Sequence, residues 1–496
     1  MASNRVHVET VDLHHQINNI TVTIMTKLLI YFMTLLMLAM LIVSCDSENS
    51  CDTSCGTDQI QGLDCTCFPQ NPPDCPGISC PTGEILTVDC SCISPDSGLP
   101  CGGTCPDGFS CVNEECVQTS GFAATKSGRI AADETWAANT VYTIAGKVVI
   151  NDGVTLTIEP GTIIKGAAGT GTLASALIIE RGGKIMAEGT ADAPIIMTAA
   201  DDNITMGQLV GTNLDETQRG QWGGVIILGK APISSRSSAE ALIEGLPPDD
   251  SFGTYGGDDP ADNSGVLRYV SIRHAGTLIG EGNEINGLTL GGVGSGTIIE
   301  HIEVVANLDD GIECFGGTVD ITNALVWAQG DDAYDIDQAY AGTINNYIYI
   351  AGVDSDHGLE IDGPEGDVNT EGSFTMINGT LKGLASEYAD FRSVAQGNVL
   401  DSYWFNFPAG ADIELDDAAV SANYTSGLIQ IKGNEFTLAD GTSLSDVSAD
   451  KGGDDAAFDT QFASDNSTVA IGANTKGADT SVFGWTMASQ LGALDF

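Results

Sequence analysis

An acidic pattern that occurs three times between residues 302 and 362 constrains the fold more than any other feature. The copies are Asp309–Glu313, Asp331–Asp335 and a longer Asp354–Glu360, and each follows a short apolar run. They begin 22 and 23 residues apart. A period of about 20–25 residues, built from strand-like runs and Gly-rich corners, is typical of a solenoid of stacked coils.

Stacking would place equivalent carboxylates beside one another, because parallel strands lie about 4.8 Å apart. Like charges at that spacing raise each other's pKa unless a positive group lies between them. A cation, an Arg side chain or a bound proton is therefore expected in the site. The predicted columns are Asp309, Asp331 and Asp354 in one, and Glu313, Asp335 and Glu360 in the other.

From about Ser120 onward the chain consists of short β-branched runs separated by Gly, Asn and Asp, such as Val154–Ile158 and Leu267–Ile272. No long helix and few hairpins are predicted, so the strands should be parallel. The hydrophobic content of 42% can fill a core, and 61 Gly suit many tight corners. The predicted fold is all-β: a right-handed parallel β-helix over residues 120–496, preceded by a small disulfide-rich region.

The N-terminal region resembles an export signal. Lys27 precedes a 16-residue apolar run, Leu28–Val43, which is short for a membrane-spanning helix and right for a secretory segment. The run ends in Ile42-Val43-Ser44-Cys45, which resembles the bacterial lipobox, so lipidation is predicted at Cys45. Residues 25–44 would then be a lipoprotein signal peptide that starts at Met25, and residues 1–24 an upstream over-prediction of the start.

The acidic segment at residues 46–48 resembles the surface-export signal of Bacteroidetes lipoproteins. The predicted location is the bacterial outer membrane, lipid-anchored and exposed at the surface, with membrane contact through the lipid anchor alone. An uncleaved anchor and ordinary secretion are the alternatives.

Residues 45–119 are predicted to form a disulfide-stapled stalk, because 13 of the 14 Cys lie between Cys45 and Cys116. Without Cys45 an even number remains, as a disulfide framework requires. Few apolar residues lie there, so cross-links must replace a core. A metal site competes less well, since this segment contains no His. The predicted disulfide cysteines are Cys51, Cys55, Cys65, Cys67, Cys75, Cys80, Cys90, Cys92, Cys101, Cys105, Cys111 and Cys116.

The charge of the chain argues against a nucleic-acid partner. It has 18 Lys and Arg against 68 Asp and Glu, a formal net charge of −50, whereas phosphate binding needs clustered Lys and Arg. A solvated acidic surface accounts for most of these charges.

Several motifs from about Ser127 to Phe496 together resemble a known family. They are Glu-Pro-Gly-Thr at 159–162, Gly-Gly-Lys-Ile at 182–185, Trp-Gly-Gly at 222–224, Asp-Asp-Gly-Ile-Glu at 309–313 and Phe-Gly-Gly at 315–317. The set is similar to exported β-helix lipoproteins and secreted proteins widespread in Bacteroidetes and other marine bacteria. The resemblance implies a pectate-lyase-like β-helix and an exported location. Cys314 is expected to be a buried core thiol and not a nucleophile.

One interpretation of the acidic columns is a Ca²⁺ site, because an ion that takes six to eight oxygen ligands suits abundant carboxylates. Ca²⁺ is the only cofactor that the sequence predicts. The predicted metal ligands are Asp309, Asp310, Glu313, Asp331, Asp335, Asp354 and Glu360.

A second interpretation is an enzyme that degrades polysaccharides. The three repeats loosely resemble the polygalacturonase motifs Asn-Thr-Asp, Gly-Asp-Asp and Gly-His-Gly. That resemblance implies Asp331 or Asp332 as general acid, with Asp309 or Asp310 and the other second-coil carboxylate activating water. His357 would orient the acid.

A Ca²⁺-dependent polyuronate lyase is the variant of this interpretation, with Arg392 as base. Arg392 follows Phe391 as Glu313 follows Ile312, so the sequence alternatively predicts that Arg392 neutralises the column by pairing with carboxylates.

The third interpretation, which the sequence favours, is binding without chemistry. It describes a cell-surface lipoprotein whose acidic, cation-binding face binds a polysaccharide or another surface ligand. The enzyme interpretations remain the alternative, so the sequence leaves open whether the protein is catalytic.

Overall fold

The computed structural model describes residues 123–496 apart from 139, 237, 245, 247–251 and 279–284. For Phe122 and for six short strands between residues 59 and 118 it describes the backbone only. The predicted disulfides, Cys45 and the signal peptide lie outside the described side chains. The chain divides into two compact units, residues 1–99 and 100–496, and the predicted boundary at residue 119 stays a prediction.

Most of the regular secondary structure in the described part is β-structure, and 27 strands belong to one sheet. The strands are β1 (Gln59–Gln61), β2 (Cys67–Pro69), β3 (Ile85–Leu86), β4 (Cys92–Ile93), β5 (Phe109–Val112), β6 (Glu115–Gln118), β7 (Phe122–Ile130), β8 (Glu134–Trp136), β9 (Thr140–Ile150), β10 (Thr155–Ile158), β11 (Ile163–Gly166), β12 (Ala176–Ile179), β13 (Lys184–Glu188), β14 (Ile195–Ala199), β15 (Val225–Leu228), β16 (Glu240–Leu242), β17 (Thr254–Gly256), β18 (Gly265–Arg273), β19 (Leu288–Gly291), β20 (Ile298–Val305), β21 (Ile312–Phe315), β22 (Ile321–Trp327), β23 (Tyr334–Asp337), β24 (Thr343–Ile350), β25 (His357–Ile361), β26 (Phe374–Ile377), β27 (Thr380–Lys382), β28 (Glu387–Phe391), β29 (Gly397–Leu400), β30 (Tyr403–Phe405), β31 (Ile413–Leu415), β32 (Ile429–Lys432), β33 (Glu435–Thr437), β34 (Ser448–Asp450) and β35 (Ser467–Thr468).

The helices are short. They are α1 (Ala418–Ser426), α2 (Asp455–Asp465) and α3 (Met487–Gln490), with 3₁₀ turns at Gly171–Leu173, Leu444–Asp446 and Thr480–Phe483. No helix of the described residues has the length and apolar character that crossing a membrane requires.

The large sheet is wound into a parallel β-helix with three strand positions per coil. The first face contains β10, β13 and the N-terminal half of β18; the second contains β11, β14 and the C-terminal half of β18. The third face runs through β12, β15, β19, β21, β23, β25, β28, β31 and β34, all parallel. The predicted parallel β-helix is confirmed.

Inward side chains on all three faces form one continuous apolar core. On the third face the inward positions on either side of Glu313 are Ile312 and Cys314, and both are fully buried. Burial raises the pKa of the Cys314 thiol. The expectation of a buried core thiol is therefore confirmed.

Single strands pass through the corner between the first and second faces, so each of them contributes to both faces. In successive coils this corner is occupied by Tyr269, His301, Asn323 and Asn346, whose φ angles are positive at 50°, 58°, 59° and 59°. Asn adopts this left-handed conformation more readily than most residues. The Asn346 amide donates to Asn323 at 2.6 Å, and Asn323 lies 3.0 Å from His301. The corner side chains are thus stacked along the coils.

Two segments cover parts of the outer surface. Residues of the insertion between β15 and β18, including Ile233, Ile243 and Tyr255, pack on the outward Val149, Ile178 and Ile226 of the third face. The C-terminal segment packs Phe483, Met487 and Ala488 on outward residues of the second face. The second-face residues that this segment covers are Val305, Leu325, Trp327, Ile348 and Ile350.

Candidate functional site: the acidic ladder

One outward column of the third face changes from apolar to acidic along its length. Its first members, Val149, Ile178 and Ile226, lie beneath the insertion, and Thr289 follows them. The next five positions in register are all carboxylates. We call them the acidic ladder: Glu313, Asp335, Glu360, Asp390 and Glu414.

The predicted register of Glu313, Asp335 and Glu360 is confirmed by direct pairing of the three strands. The alignment of Arg392 with this column is wrong, because Glu360 pairs with Asp390. Arg392 lies two residues further along, at the end of β28. Each ladder residue is the acid of an apolar–acid–apolar triplet, as in Ala389-Asp390-Phe391, so the sequence did contain the signal for Asp390.

The second predicted column is right for two coils and wrong for the third. Asp309 and Asp331 lie with Asp310 in a group in which one carboxylate oxygen of each residue is within 4.8 Å of the others. In the third coil, Asp356 donates its backbone N–H to Asp331 O at 2.9 Å and takes the expected place of Asp354. Asp354 is 70% exposed and forms an ion pair with Arg219 at 2.8 Å. The extra residues of the third repeat carry it out of the column.

Asp310, Asp332 and His357 connect three coils at the turn before the ladder. Asp310 Oδ1 accepts the Asp332 N–H at 2.9 Å, and Asp332 Oδ1 accepts the His357 N–H at 2.7 Å. His357 Nδ1 lies 2.9 Å from the same Asp332 oxygen. Burial alone would lower the pKa of His357, but the hydrogen bond and charge of Asp332, with Asp356 and Asp390, raise it to about 9. His357 is therefore an imidazolium at neutral pH.

Internal cations neutralise the C-terminal half of the ladder. Arg392 pairs with Glu360, lies 2.9 Å from Asp362 and 3.9 Å from Asp390, and Lys451 pairs with Glu414. Of the two alternatives for Arg392, these contacts favour carboxylate neutralisation. Burial and the charge of Glu414 raise the pKa of Asp390 to about 6.

The N-terminal half of the ladder differs, because Glu313 and Asp335 lie close to a further carboxylate, that of Asp310. Burial, followed by the charges of neighbouring carboxylates, raises the pKa values of Asp310, Glu313 and Asp335 well above their ordinary range. Among the residues that the structure describes, no Lys or Arg forms an ion pair with any of the three. One oxygen from each of the three lies within 4.8 Å of the others. A third such group comprises Asp332, His357 and Glu360.

A cleft of about 680 Å³ opens beside the ladder, toward the hairpin of β16 and β17. Arg236, Tyr255, Phe315, Asp337 and Glu365 are among its lining residues. Asp337 follows Phe315 in register one coil on. Burial and the charge of Glu365 raise the pKa of Asp337 to about 8. Asp337 is not among the residues that the sequence pattern predicts, because its place beside the cleft depends on the insertion.

Four aromatic residues of the repeats do not present their rings to this face, whereas Phe315 lines the cleft. Tyr334, Tyr340 and Tyr347 are fully buried in the core. Trp327 packs under the C-terminal segment. Their positions fit coil packing and not stacking on a sugar.

The family comparison agrees with this architecture. The family model described as "Pectate-lyase like beta helix domain" matches residues 128–489. The chain belongs to this family. The match spans the whole acidic ladder and both segments that cover the outer surface. No curated protein and no solved structure matches the chain at a significant level.

Proposed function

We propose that this pectate-lyase-like β-helix protein is exported, anchored by a lipid at Cys45 and displayed at the bacterial surface, where the acidic ladder binds a polysaccharide. The single observation that carries the proposal is the register of five carboxylates on one outward column. Glu313 is buried, so the accessible part of the row runs from Asp335 to Glu414 over three steps of about 4.8 Å, or roughly 14 Å. Such a row suits an extended chain better than a compact ligand.

The chemistry of the row also suits sugar hydroxyls. Ionised carboxylates only accept hydrogen bonds, and polysaccharides offer many hydroxyl donors. Glu360, Asp390 and Glu414 each keep about a sixth of their side-chain surface accessible, and the cleft beside Asp337 adds room for a sugar unit. A polyuronate would be repelled by this face, so the proposal includes divalent cations as the bridge for acidic polymers.

We expect affinity electrophoresis in gels that contain single polysaccharides to retard the wild-type chain in at least one neutral polysaccharide, or in a polyuronate when Ca²⁺ is present. Asp390→Asn combined with Glu360→Gln should reduce the retardation at least about tenfold in apparent affinity, because two acceptors of the row are lost. Asp192→Asn, an exposed carboxylate outside the ladder, is the matched control. Equal retardation of both variants, or none across the panel, contradicts the proposal.

Hydrolysis or elimination is the second candidate function, and the contact between Asp332 and His357 at 2.9 Å favours it. A carboxylate held against a His, beside Asp390 with a pKa of about 6, resembles the perturbed groups that cluster in active sites. The same panel separates the two functions. New reducing ends or unsaturated products, lost in Asp332→Asn, would indicate an enzyme, and retention without products a binding protein.

The anchor is tested independently of the ladder. Cys45→Ala should move the protein from the membrane fraction to the soluble fraction of cells that export it, because an acyl chain contributes about 0.8 kcal/mol per buried CH₂. Fractionation followed by mass spectrometry of the mature N-terminus provides the measurement. An unmodified Cys45 in the membrane fraction would exclude the lipid anchor.

A further inference from the structure

At its N-terminal end the acidic ladder lacks the cationic partners that neutralise its other carboxylates among the described residues. Arg392 and Lys451 lie against the carboxylates of the later coils, and His357 lies against Asp332 in the turn before β23. Asp310 and Glu313, which are only 8% and 4% exposed, have no such partner among the described residues. Water does not compensate them either, because they are nearly out of its reach. Several buried carboxylates together are costly unless a positive charge joins them.

An independent feature at the same place indicates a ligand. Asn286, two residues before β19, is 2% exposed and donates a hydrogen bond from its Nδ2 to Glu313 Oε2. Its other amide atom, Oδ1, is buried and has no hydrogen-bond partner, and the same is true of Asp335 Oδ1. Buried oxygens without partners are rare. The two oxygens belong to different coils: Asn286 is hydrogen-bonded to Glu313, and Asp335 is a member of the carboxylate group.

The spacing of the group suits a hard cation. Oxygens on opposite sides of a Ca²⁺ ion lie about 4.6–5.2 Å apart, since each Ca–O bond is about 2.3–2.6 Å. Asp310, Glu313 and Asp335 each offer an oxygen within 4.8 Å of the others. An amide oxygen such as that of Asn286 is an ordinary additional Ca²⁺ ligand.

We propose that Asn286, Asp310, Glu313 and Asp335 form a closed Ca²⁺ site that clamps three successive coils of the β-helix together. Asn286 belongs to the coil of β19, Asp310 and Glu313 to that of β21, and Asp335 to that of β23. The site is structural, because Asn286 and Glu313 are too deeply buried to contact a polymer. The inference rests on the cation-binding part of the proposed function and is independent of the polysaccharide part.

The alternative occupant is protons, which could neutralise the same carboxylates. The two occupants predict opposite effects of removing one charge. If protons alone occupy the site, Glu313→Gln relieves repulsion and leaves the response to Ca²⁺ unchanged. If Ca²⁺ occupies it, Glu313→Gln removes a ligand and the response to Ca²⁺ disappears.

The experiment is a thermal unfolding series on the purified full chain, first in EDTA and then with increasing Ca²⁺. Binding to the folded state alone makes Tm depend on ligand concentration, so we expect Tm of the wild type to rise by several degrees. Glu313→Gln and Asp335→Asn should lose that rise. Glu414→Gln, which changes a ladder carboxylate paired with Lys451, should keep it.

Equilibrium dialysis with radioactive Ca²⁺ on the wild type and Asn286→Ala provides a second measurement that does not require the charge variants to fold. We expect the wild type to bind one more tightly held ion than Asn286→Ala. A wild-type Tm that Ca²⁺ does not change, or a rise that persists in both charge variants, overturns the clamp. Polysaccharide retention is scored separately, so loss of that binding with an intact Ca²⁺ response contradicts only the polysaccharide part of the proposed function.

Discussion

In a calcium-free buffer, raising the pH from 5 to 8 is expected to lower the free energy of unfolding, and Asp337→Asn is expected to remove the part of that loss that comes from Asp337. Burial and the charges of Glu365, Asp362 and Glu244 together raise the pKa of Asp337 to about 8. The charged groups around it are therefore mostly carboxylates. Arg236, the cation of the cleft, is itself paired with Glu365 at 3.0 Å.

The direction of this pH effect follows from the number of protons that Asp337 binds in the folded and in the unfolded chain. An unfolded Asp has a pKa of about 3.9, so between pH 5 and 8 the folded chain holds about one proton more than the unfolded chain at this residue. Stability is then fully present below pH 4 and is lost as the pH rises toward 8. One proton corresponds to about 1.4 kcal/mol per pH unit, or on the order of 4 kcal/mol over this range. Asp310, Glu313 and Asp335 act in the same direction.

Chemical denaturation in EDTA at pH 5 and pH 8 measures the effect. Asp337→Asn keeps an acceptor for the Gln338 N–H, which Asp337 Oδ1 now accepts at 2.6 Å. The variant should therefore be near neutral at pH 5 and clearly more stable than the wild type at pH 8. Asp440→Asn, an exposed carboxylate elsewhere, serves as control. If the Asp337 variant and the wild type lose stability in parallel, the assignment to Asp337 is wrong.

Glu303→Ala is expected to lower the free energy of unfolding by about 3–5 kcal/mol, the largest effect of a single substitution that the structure predicts. Arg273 and Glu303 are 1% and 0% exposed, and Arg273 Nη2 lies 3.6 Å from Glu303 Oε2. Glu303 also accepts the backbone N–H groups of Met487 and Ala488 at 3.0 and 2.9 Å. The substitution would leave two buried N–H groups without acceptors and a buried guanidinium without its carboxylate, although Ser271 Oγ and Leu209 O would still accept hydrogen bonds from Arg273.

A nearby exposed pair provides a matched comparison. Glu300, three residues earlier in the same strand, pairs with Arg268, and both side chains are about a third exposed. Glu300→Ala should cost less than about 1 kcal/mol. Limited proteolysis should also cleave the C-terminal segment of Glu303→Ala faster than that of the wild type, because its anchor is gone. Similar losses of stability in the two variants would refute the role of burial.

The sequence predicted the ladder better than it predicted the surroundings of the ladder. The alternation of inward Ile312 and Cys314 with outward Glu313 follows from strand geometry, since neighbouring side chains point to opposite faces. Repetition of that triplet at the coil period then fixes Asp335 and Glu360 over Glu313. Local pattern and period suffice for this part.

The alignment failed where the spacing between strands changed. The third repeat places Asp354 in the turn before β25, where it pairs with Arg219, and the register of Arg392 is offset by two residues. Turn lengths vary among coils without disturbing the strands, so counting along the chain cannot align turn residues.

By itself the sequence determined a parallel β-helix with an outward row of carboxylates, because the inward and outward alternation and the coil period are properties of consecutive residues. Only the tertiary structure decided which carboxylates meet a cation. His357, Arg392 and Lys451 contact Asp332, Glu360 and Glu414, whereas Asn286 donates a hydrogen bond to Glu313 at the first coil of the ladder. Those contacts join residues from different coils, and their distances depend on how the turns and the insertion pack.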